Sequence, residues 1–416
     1  MEDVFKIYNT RSKSHHGRHD ISYFSENCKK LREVLDQPCS TNLNTIYVHI
    51  PFCSKICSFC NMSRGLGRPD EKFVDLLVKN IELYKDSELV NSQEINSIYF
   101  GGGTPTTLNE SQFNRIFEAI YKNFKISDGA EISIETSLSN LSKEKLDFLI
   151  KMGVNRISVG IQTFNDKGRK YFKRIENGDF AIEKLKEFKS TGLKNINTDL
   201  IYCYPDSTIE NSLEDISILN ELNIGGFSLY SLITSMMGKP CKEQFSLEEE
   251  YRYFYELSSF AKSLGYEFFE LTKMVKDNRD KYQYIINSYE NKTMFPIGPG
   301  AGGNLNNTKL MNPIDLESYS DFLDDFYNVE LNCYSKSLSK IENDAGRIQL
   351  GKLSKKYLNK YPAIDDFIDR LVSYKLIVDN GKDYILTTDG IFFGNNIYHE
   401  FFDLLIDYYK GEKIEI

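Results

Sequence analysis

Residues 45–60 read Thr45-Ile46-Tyr47-Val48-His49-Ile50-Pro51-Phe52-Cys53-Ser54-Lys55-Ile56-Cys57-Ser58-Phe59-Cys60. The β-branched run Thr45 to Ile50 predicts a strand. It feeds a loop whose cysteines are spaced C-x3-C-x2-C, so one loop can wrap one metal centre. Three thiolates on a four-iron cubane leave one iron without a protein ligand, and that iron is a chemical site. A structural zinc site is the rival reading. It normally needs four closed ligands, often as two short-spaced pairs, yet Cys28, Cys39, Cys203, Cys241 and Cys333 stand singly and His49 is the only imidazole nearby.

Downstream, further short runs alternate with helical patterns: Ser97 to Phe100, Glu131 to Glu135, Arg156 to Ile161, Asn195 to Tyr202 and Gly226 to Tyr230. Phe113, Ile116, Phe117, Ile120 and Phe124 fall at helical spacing behind Asn109 and Gln112, a capping-box pair. Ser246 and Glu249 open another helix that runs to about Leu264 and stops at Gly265. Strand–helix repeats of this length imply a parallel sheet with right-handed crossovers, and six units suit an incomplete (β/α)6-type barrel. A flat doubly wound sheet is the alternative. The expected division is an N-terminal segment over 1–44, the barrel over 45–304 and a C-terminal helical appendage over 305–416. In the appendage Ile364, Phe367, Ile368 and Leu371 form a helix face. A turn at Asn380-Gly381, a strand from Tyr384 to Leu386 and a helix capped near Thr388 give it a winged-helix-like pattern.

The 416-residue chain has a net charge of −9 with no block of Lys or Arg, so a nucleic-acid footprint is not expected. Asp365, Asp366, Asp369 and Asp379 make the appendage acidic, which fits a lid over a substrate better than a DNA reader. No run reaches membrane-span length, and the first residues lack a signal-peptide core, so a cytoplasmic protein with reduced thiols is expected. Trp is absent while Phe and Tyr are abundant, a pattern of core packing more than of an aromatic ligand pocket.

Barrels of parallel strands place chemistry at the C-terminal strand ends. There the cysteine loop follows the first strand and Gly101-Gly102-Gly103-Thr104-Pro105 the second. Glu135 ends the third, Gln162 follows the fourth, and Asp199 lies near the end of the fifth. The glycines let backbone amides approach a ligand, or simply make a turn. Glu135 reads either as a hydrogen-bond acceptor for a ligand or as a solvated carboxylate. Gln162, Arg174 and Asp199 are equally open one by one.

Taken together, the blocks His49-Ile50-Pro51-Phe52-Cys53, Gly101 to Thr106, Asn155 to Phe164, Asp199-Leu200-Ile201-Tyr202 and Gly298-Pro299-Gly300-Ala301-Gly302-Gly303 make the stretch from Tyr47 to about Gly303 specific. It resembles the oxygen-independent coproporphyrinogen III oxidase family of the radical S-adenosylmethionine (radical SAM) superfamily. The resemblance implies a [4Fe-4S] cluster on Cys53, Cys57 and Cys60. Its open iron would chelate S-adenosylmethionine, and one electron would release a 5′-deoxyadenosyl radical. One or two S-adenosylmethionine molecules are implied, with Tyr47, Gly102 and Glu135 on the first. Phe59, Gly103, Thr104, Gln162, Arg174, Asp199 and Ile233 lie nearer the second, and Arg174 and Asp199 would position it.

Two departures bear on the branch. Met62 stands where coproporphyrinogen oxidases proper usually carry a further cysteine, and Gly302 stands where the haem-chaperone branch usually carries a histidine. The implied activity is therefore modification of a tetrapyrrole, by propionate decarboxylation or by radical methyl transfer with haem opening. A haem-delivery protein, or a class C-like radical methyltransferase acting on an aromatic natural product, is the alternative. A flavodoxin- or ferredoxin-type electron donor is the expected partner. Arg11, Lys13, His15, His16, Arg18 and His19 read either as a clamp for propionates and a haem ligand, or as a mobile charged segment.

Overall fold

Alternation decides how the strands sit. In β1 (Asn44–Ile50) the side chains of Ile46, Val48 and Ile50 are fully buried on one face, while Thr45, Tyr47 and His49 take the other. The same parity continues in β2 (Ile95–Gly102), β3 (Ile126–Thr136), β4 (Arg156–Gln162), β5 (Asn195–Tyr202) and β6 (Gly226–Ser231). One face of the curved sheet is apolar and carries the helices. The other is lined by Tyr99, Ser133, Glu135, Ser158, Asn197, Asp199 and Ser228. A period of two in every strand is what produces an apolar exterior and a polar lumen.

This computed structural model describes residues 4–17, 19–60, 65–174, 176–233, 235–236, 239–240 and 245–411; Arg18, Met62 and Cys241 lie outside them. The six strands pair in parallel in chain order. A seventh parallel strand, absent from the sequence reading, joins them out of order. With β7 (Tyr266–Phe268), β8 (Lys273–Lys276), β9 (Met294–Ile297), β10 (Gly302–Leu305) and β11 (Thr308–Met311), the spatial order is β7-β8-β6-β5-β4-β3-β2-β1-β9-β10-β11. Thus β9 runs parallel to β1, Met294 facing Thr45, and β8 runs antiparallel to β6. The sheet curls without closing, as an incomplete α/β barrel.

The helices α1 (Glu71–Leu83), α2 (Glu110–Asn123), α3 (Lys143–Lys151), α4 (Asp166–Tyr171), α5 (Gly178–Ser190), α6 (Ile209–Glu221) and α7 (Leu247–Ser263) fill the connections. Both expected capping boxes form: Asn109 with Gln112 on α2, and Ser246 with Glu249 on α7. Phe113, Ile116, Phe117 and Ile120 are fully buried on α2, each contributing about 1.5–3 kcal/mol relative to exposure. Gly265 takes a left-handed φ of 88° after α7, a cost-free conformation only for glycine. Beyond the sheet, α8 (Pro362–Ser373) and α9 (Gly394–Gly411) pack around a three-stranded antiparallel sheet of Lys352–Ser354, Asp383–Leu386 and Ile377–Asp379. Among the described residues no helix is long and apolar enough to cross a membrane.

Candidate functional site

Two cavities meet at the C-terminal ends of the strands. The first, about 630 Å³, is lined by Cys53, Cys57, Phe59, Cys60, Gly103, Thr104, Glu135, Ser158, Gly160, Arg174 and Asp199. The second, about 380 Å³, is lined by Phe59, Cys60, Gln162, Asp199, Ile201, Leu229, Ile233 and Leu271, and is roofed by Arg11, Lys13, Ile391, Phe392 and Asn395. Phe59, Cys60 and Asp199 form the wall they share. The expected site residues therefore converge except for Tyr47 and Gly102, which stand behind the first wall. The Tyr47 hydroxyl is 2.9 Å from His49 Nδ1, and Gly102 N–H donates to Glu135 Oε2 at 3.2 Å.

The glycine run does something other than offer amides. Gly103 N–H donates to Ile50 O (2.9 Å) and Thr104 N–H to Phe52 O (2.7 Å), so these donors are already taken by the cysteine loop. A Cβ on Gly103 would meet Phe52 O at 2.6 Å and Ile50 O at 2.9 Å, and one on Gly102 would meet the His49 ring at 2.6 Å. The glycines let two backbones lie against each other, and the hydroxyl of Thr104 donates to Cys53 Sγ at 3.6 Å. Ser58 Oγ fastens the other side of the loop to α4 by donating to Tyr171 O at 2.8 Å. Among the described residues no three Cys, His, Asp or Glu side chains stand preassembled around one point. The chemistry of the donor set is nevertheless that of an iron–sulfur centre: three soft sulfurs on one cavity wall, beside space for a further ligand.

Glu135 opens on the first cavity and is enclosed by protein elsewhere. Burial pushes its carboxyl up to about 7, opposed by the Tyr99 hydroxyl, which donates at 2.6 Å, and by Gly102 N–H. Asp199 is raised as well, chiefly by burial, against the charge of Lys273, a Ser228 hydrogen bond and the charges of Arg156 and Arg174. Arg174 Nη2 donates to Gln162 Oε1, and its guanidinium lies 5.9 Å over the Phe59 ring. Its Nε is buried without a hydrogen-bond partner among the described residues, an N–H available to a ligand. A bulge between Gly160 and Gln162, with a left-handed φ of 67° at Gln162, accompanies the turn into the second cavity.

Sequence reasoning missed the support beneath Asp199. Arg156 holds Asp280 with Nε and Nη2 at 2.8 and 3.1 Å, and Lys273 Nζ reaches the same carboxylate at 2.9 Å. Lys273 also donates to Asn197 Oδ1, whose amide donates to Ser158 Oγ at 3.0 Å. Both cations are buried to within 1% of full enclosure, and they hold the Asp280 carboxyl well below the usual range against the effect of burial. The polar parity of β4 and β5 was the available signal. Lys273 arrives from an antiparallel strand that carries no such pattern.

The basic N-terminal stretch splits. Arg11 pairs with Glu250, and donates to Tyr202 Oη and Phe392 O, each at 2.9 Å; Lys13 joins Glu250 at 3.0 Å. His15, His16 and His19 instead line a separate cavity of about 360 Å³ with Tyr289 and Tyr398, and His19 Nε2 is 3.2 Å from His399 Nδ1.

Residues 47–216 match the radical SAM superfamily. The chain is 30% identical over 291 residues to the haem chaperone HemW of Buchnera aphidicola subsp. Schizaphis graminum, covering 68% of this chain and 76% of that protein. It is 27% identical over 299 residues to the anaerobilin synthase of Escherichia coli O157:H7, covering 70% of this chain and 67% of that one. The solved coproporphyrinogen III oxidase HemN of Escherichia coli superposes with a TM-score of 0.78 at 22% identity, over 97% of this chain and 98% of that one, and so shares the fold.

Proposed function

We propose, from the premise that this chain belongs to the radical SAM superfamily and there to the family of HemW and oxygen-independent coproporphyrinogen III oxidase, that it is an enzyme modifying a tetrapyrrole. The observation that carries the reading is the shared wall of Phe59, Cys60 and Asp199, which puts an apolar, cation-roofed cavity directly against the one bearing the cysteines. When bound, the [4Fe-4S] cluster and S-adenosylmethionine supply reductive cleavage of a sulfonium bond to a carbon radical.

The chain's own groups do the rest. Cys53, Cys57 and Cys60 hold the cluster, while the fixed loop contacts of Gly103 and Thr104 set where it sits. Glu135 takes the ammonium and hydroxyl donors of the first S-adenosylmethionine, with Tyr47 and Gly102 holding that wall in place. Arg174, Asp199 and Gln162 orient whatever occupies the boundary, a second S-adenosylmethionine or the reacting edge of the substrate, with Phe59 and Ile233 supplying apolar contact. Residues 1–44 and 305–416 act as the substrate-side cover, excluding water and oxygen in an anaerobic cytoplasm. Lys13, with one ammonium N–H left beyond those directed to Glu250 and Leu232 O, meets a substrate carboxylate. Anaerobilin-type ring opening by methyl transfer and propionate decarboxylation are the two reactions this arrangement serves, and a flavodoxin or ferredoxin is the electron source.

Anaerobic reconstitution with iron and sulfide, followed by assay of 5′-deoxyadenosine with haem and with coproporphyrinogen, tests the reading. Turnover in the wild type that vanishes in Cys57→Ala is expected, with label from the S-adenosylmethionine methyl entering product for methyl transfer and carbon dioxide released for decarboxylation. A haem-delivery role is the second reading, favoured by the likeness to HemW over three quarters of that protein's length. Haem binding with no 5′-deoxyadenosine from either tetrapyrrole would select it, and uptake of one zinc without iron would remove both.

A further inference from the structure

The chain is acidic overall, with a net charge of −9, but the surface around the cysteine cavity is not. Lys55 and Arg68 stand exposed at one side of its mouth and Lys173 at the other. None of the three is in an ion pair among the described residues. Lys170, also exposed and unpaired there, extends the group along α4, the helix that Ser58 ties to the cysteine loop. Of the nearby carboxylates, Glu176 also lines the cavity but lies 3.8 Å from the buried Arg169, Asp166 accepts the Gly178 N–H at 2.8 Å, and Glu135 and Asp199 sit inside. Lys145, 2.5 Å from Thr106 O, has its ammonium pushed down to about 8 by burial and then by the charge of Arg68.

Unpaired like charges held together on an acidic protein repel one another and need a reason to stay. Ile56, next to Lys55 in the chain, and Leu66, paired opposite Cys53, are 39% and 65% exposed, so exposed apolar side chains accompany the cations, the mixture a transient interface uses. Cys57, next to Ile56, is only half-buried, so a sulfur of the proposed cluster lies close to this face. We propose that this face docks an acidic one-electron carrier protein, whose carboxylates meet Lys55, Arg68, Lys170 and Lys173. The inference rests on the radical SAM reading of the cysteines. One electron leaves the carrier's reduced flavin or iron–sulfur group and arrives at the cluster on Cys53, Cys57 and Cys60, with no bond made or broken.

The test is a charge reversal, Lys55→Glu with Lys170→Glu and Lys173→Glu, in the full reconstituted chain. Binding of a purified bacterial flavodoxin, and separately of a bacterial ferredoxin, is measured by interferometry at low and high salt. Cluster reduction by each is followed by anaerobic stopped flow, with dithionite as the small-molecule control. The expected result is about a tenfold or greater loss of carrier affinity and of carrier-driven reduction at low salt, converging with wild type at high salt. Dithionite reduction should be unchanged, and the matching Lys→Arg variant should behave as wild type. The better of the two carriers identifies the donor group. Equal carrier binding and reduction in wild type and reversal variant, with dithionite reducing both, overturns the docking face and leaves the radical reading standing. Failure of the wild type to take up a cluster or be reduced by dithionite overturns both.

Discussion

The two cavities are built in opposite ways. The cysteine cavity draws its charged and sulfur-bearing groups from one stretch of chain, Cys53 to Asp199, on consecutive parallel strands. Its neighbour is closed by pieces from both ends, Arg11 and Lys13 against Phe392 and Asn395. The contrast separates two tasks. On the roles proposed above, the cofactor pocket is fixed by local loop geometry repeated at strand ends, whereas the substrate pocket is finished by segments that meet only once the whole chain has folded. Specificity can then change at the termini while the cofactor wall stays as it is.

That contrast can be broken by experiment. The largest effect is expected from Cys57→Ala, which removes a proposed cluster ligand: visible iron absorbance and 5′-deoxyadenosine formation should both be lost, while binding of a tetrapyrrole to the second cavity, read by absorbance titration, persists. Loss of both would mean that the cavities are one functional unit. Next, Asp280→Asn removes the carboxylate that Arg156 and Lys273 both bond directly, leaving them only the more distant charges of Glu131 and Asp199, and should destabilise the chain by about 3–5 kcal/mol. Chemical denaturation measures this, and adding Lys273→Met should recover part of the loss. Glu250→Gln removes the anion shared by Arg11 and Lys13 and should cost about 2–4 kcal/mol, less than Asp280→Asn because Arg11 keeps Tyr202 and Phe392. It should speed proteolysis within residues 4–17 while leaving S-adenosylmethionine affinity unchanged; an equal fall in that affinity would join the two regions.

The smallest effect concerns pH. The Glu135 carboxyl rises from 4.5 to about 7 on folding, so between those values the folded chain holds a proton that the unfolded chain has released. Stability contributed by this group is therefore lost as pH rises through that window. Glu135→Gln should flatten the decline by about 1–2 kcal/mol, a figure reduced for screening by water in the cavity. Thermal unfolding of the cofactor-free chain at pH 5 and pH 8 reads it, and an unchanged slope would place the proton elsewhere.

What was legible follows the same division. The six parallel strands, both capping boxes and the convergence of Cys53, Glu135, Gln162 and Asp199 at strand ends follow from period-two and period-3.6 patterns and from loop positions. β9 was not legible, because Met294-Phe295-Pro296-Ile297 is four residues long and bears a proline, so nothing local announces a central pairing. Lys273 and Asp280 were invisible for a related reason. A buried ion pair depends on partners distant in sequence, and neither strand parity nor residue type distinguishes those two from surface charges. The glycine run was seen, but its physical cause, two backbones in contact, needed the loop beside it.

The late position of β9 has a temporal meaning. β1, whose end carries the cysteine loop, has β2 on one side soon after synthesis, but its other edge stays open until the chain beyond Ile297 has left the ribosome. For most of its synthesis the strand that presents the thiols is thus an exposed edge, open to wrong pairing and to oxygen. On the proposed assignment of the cysteines to a cluster, the time taken to make and release the chain from Cys60 through Ile297 sets how long those sulfurs wait beside an open strand edge.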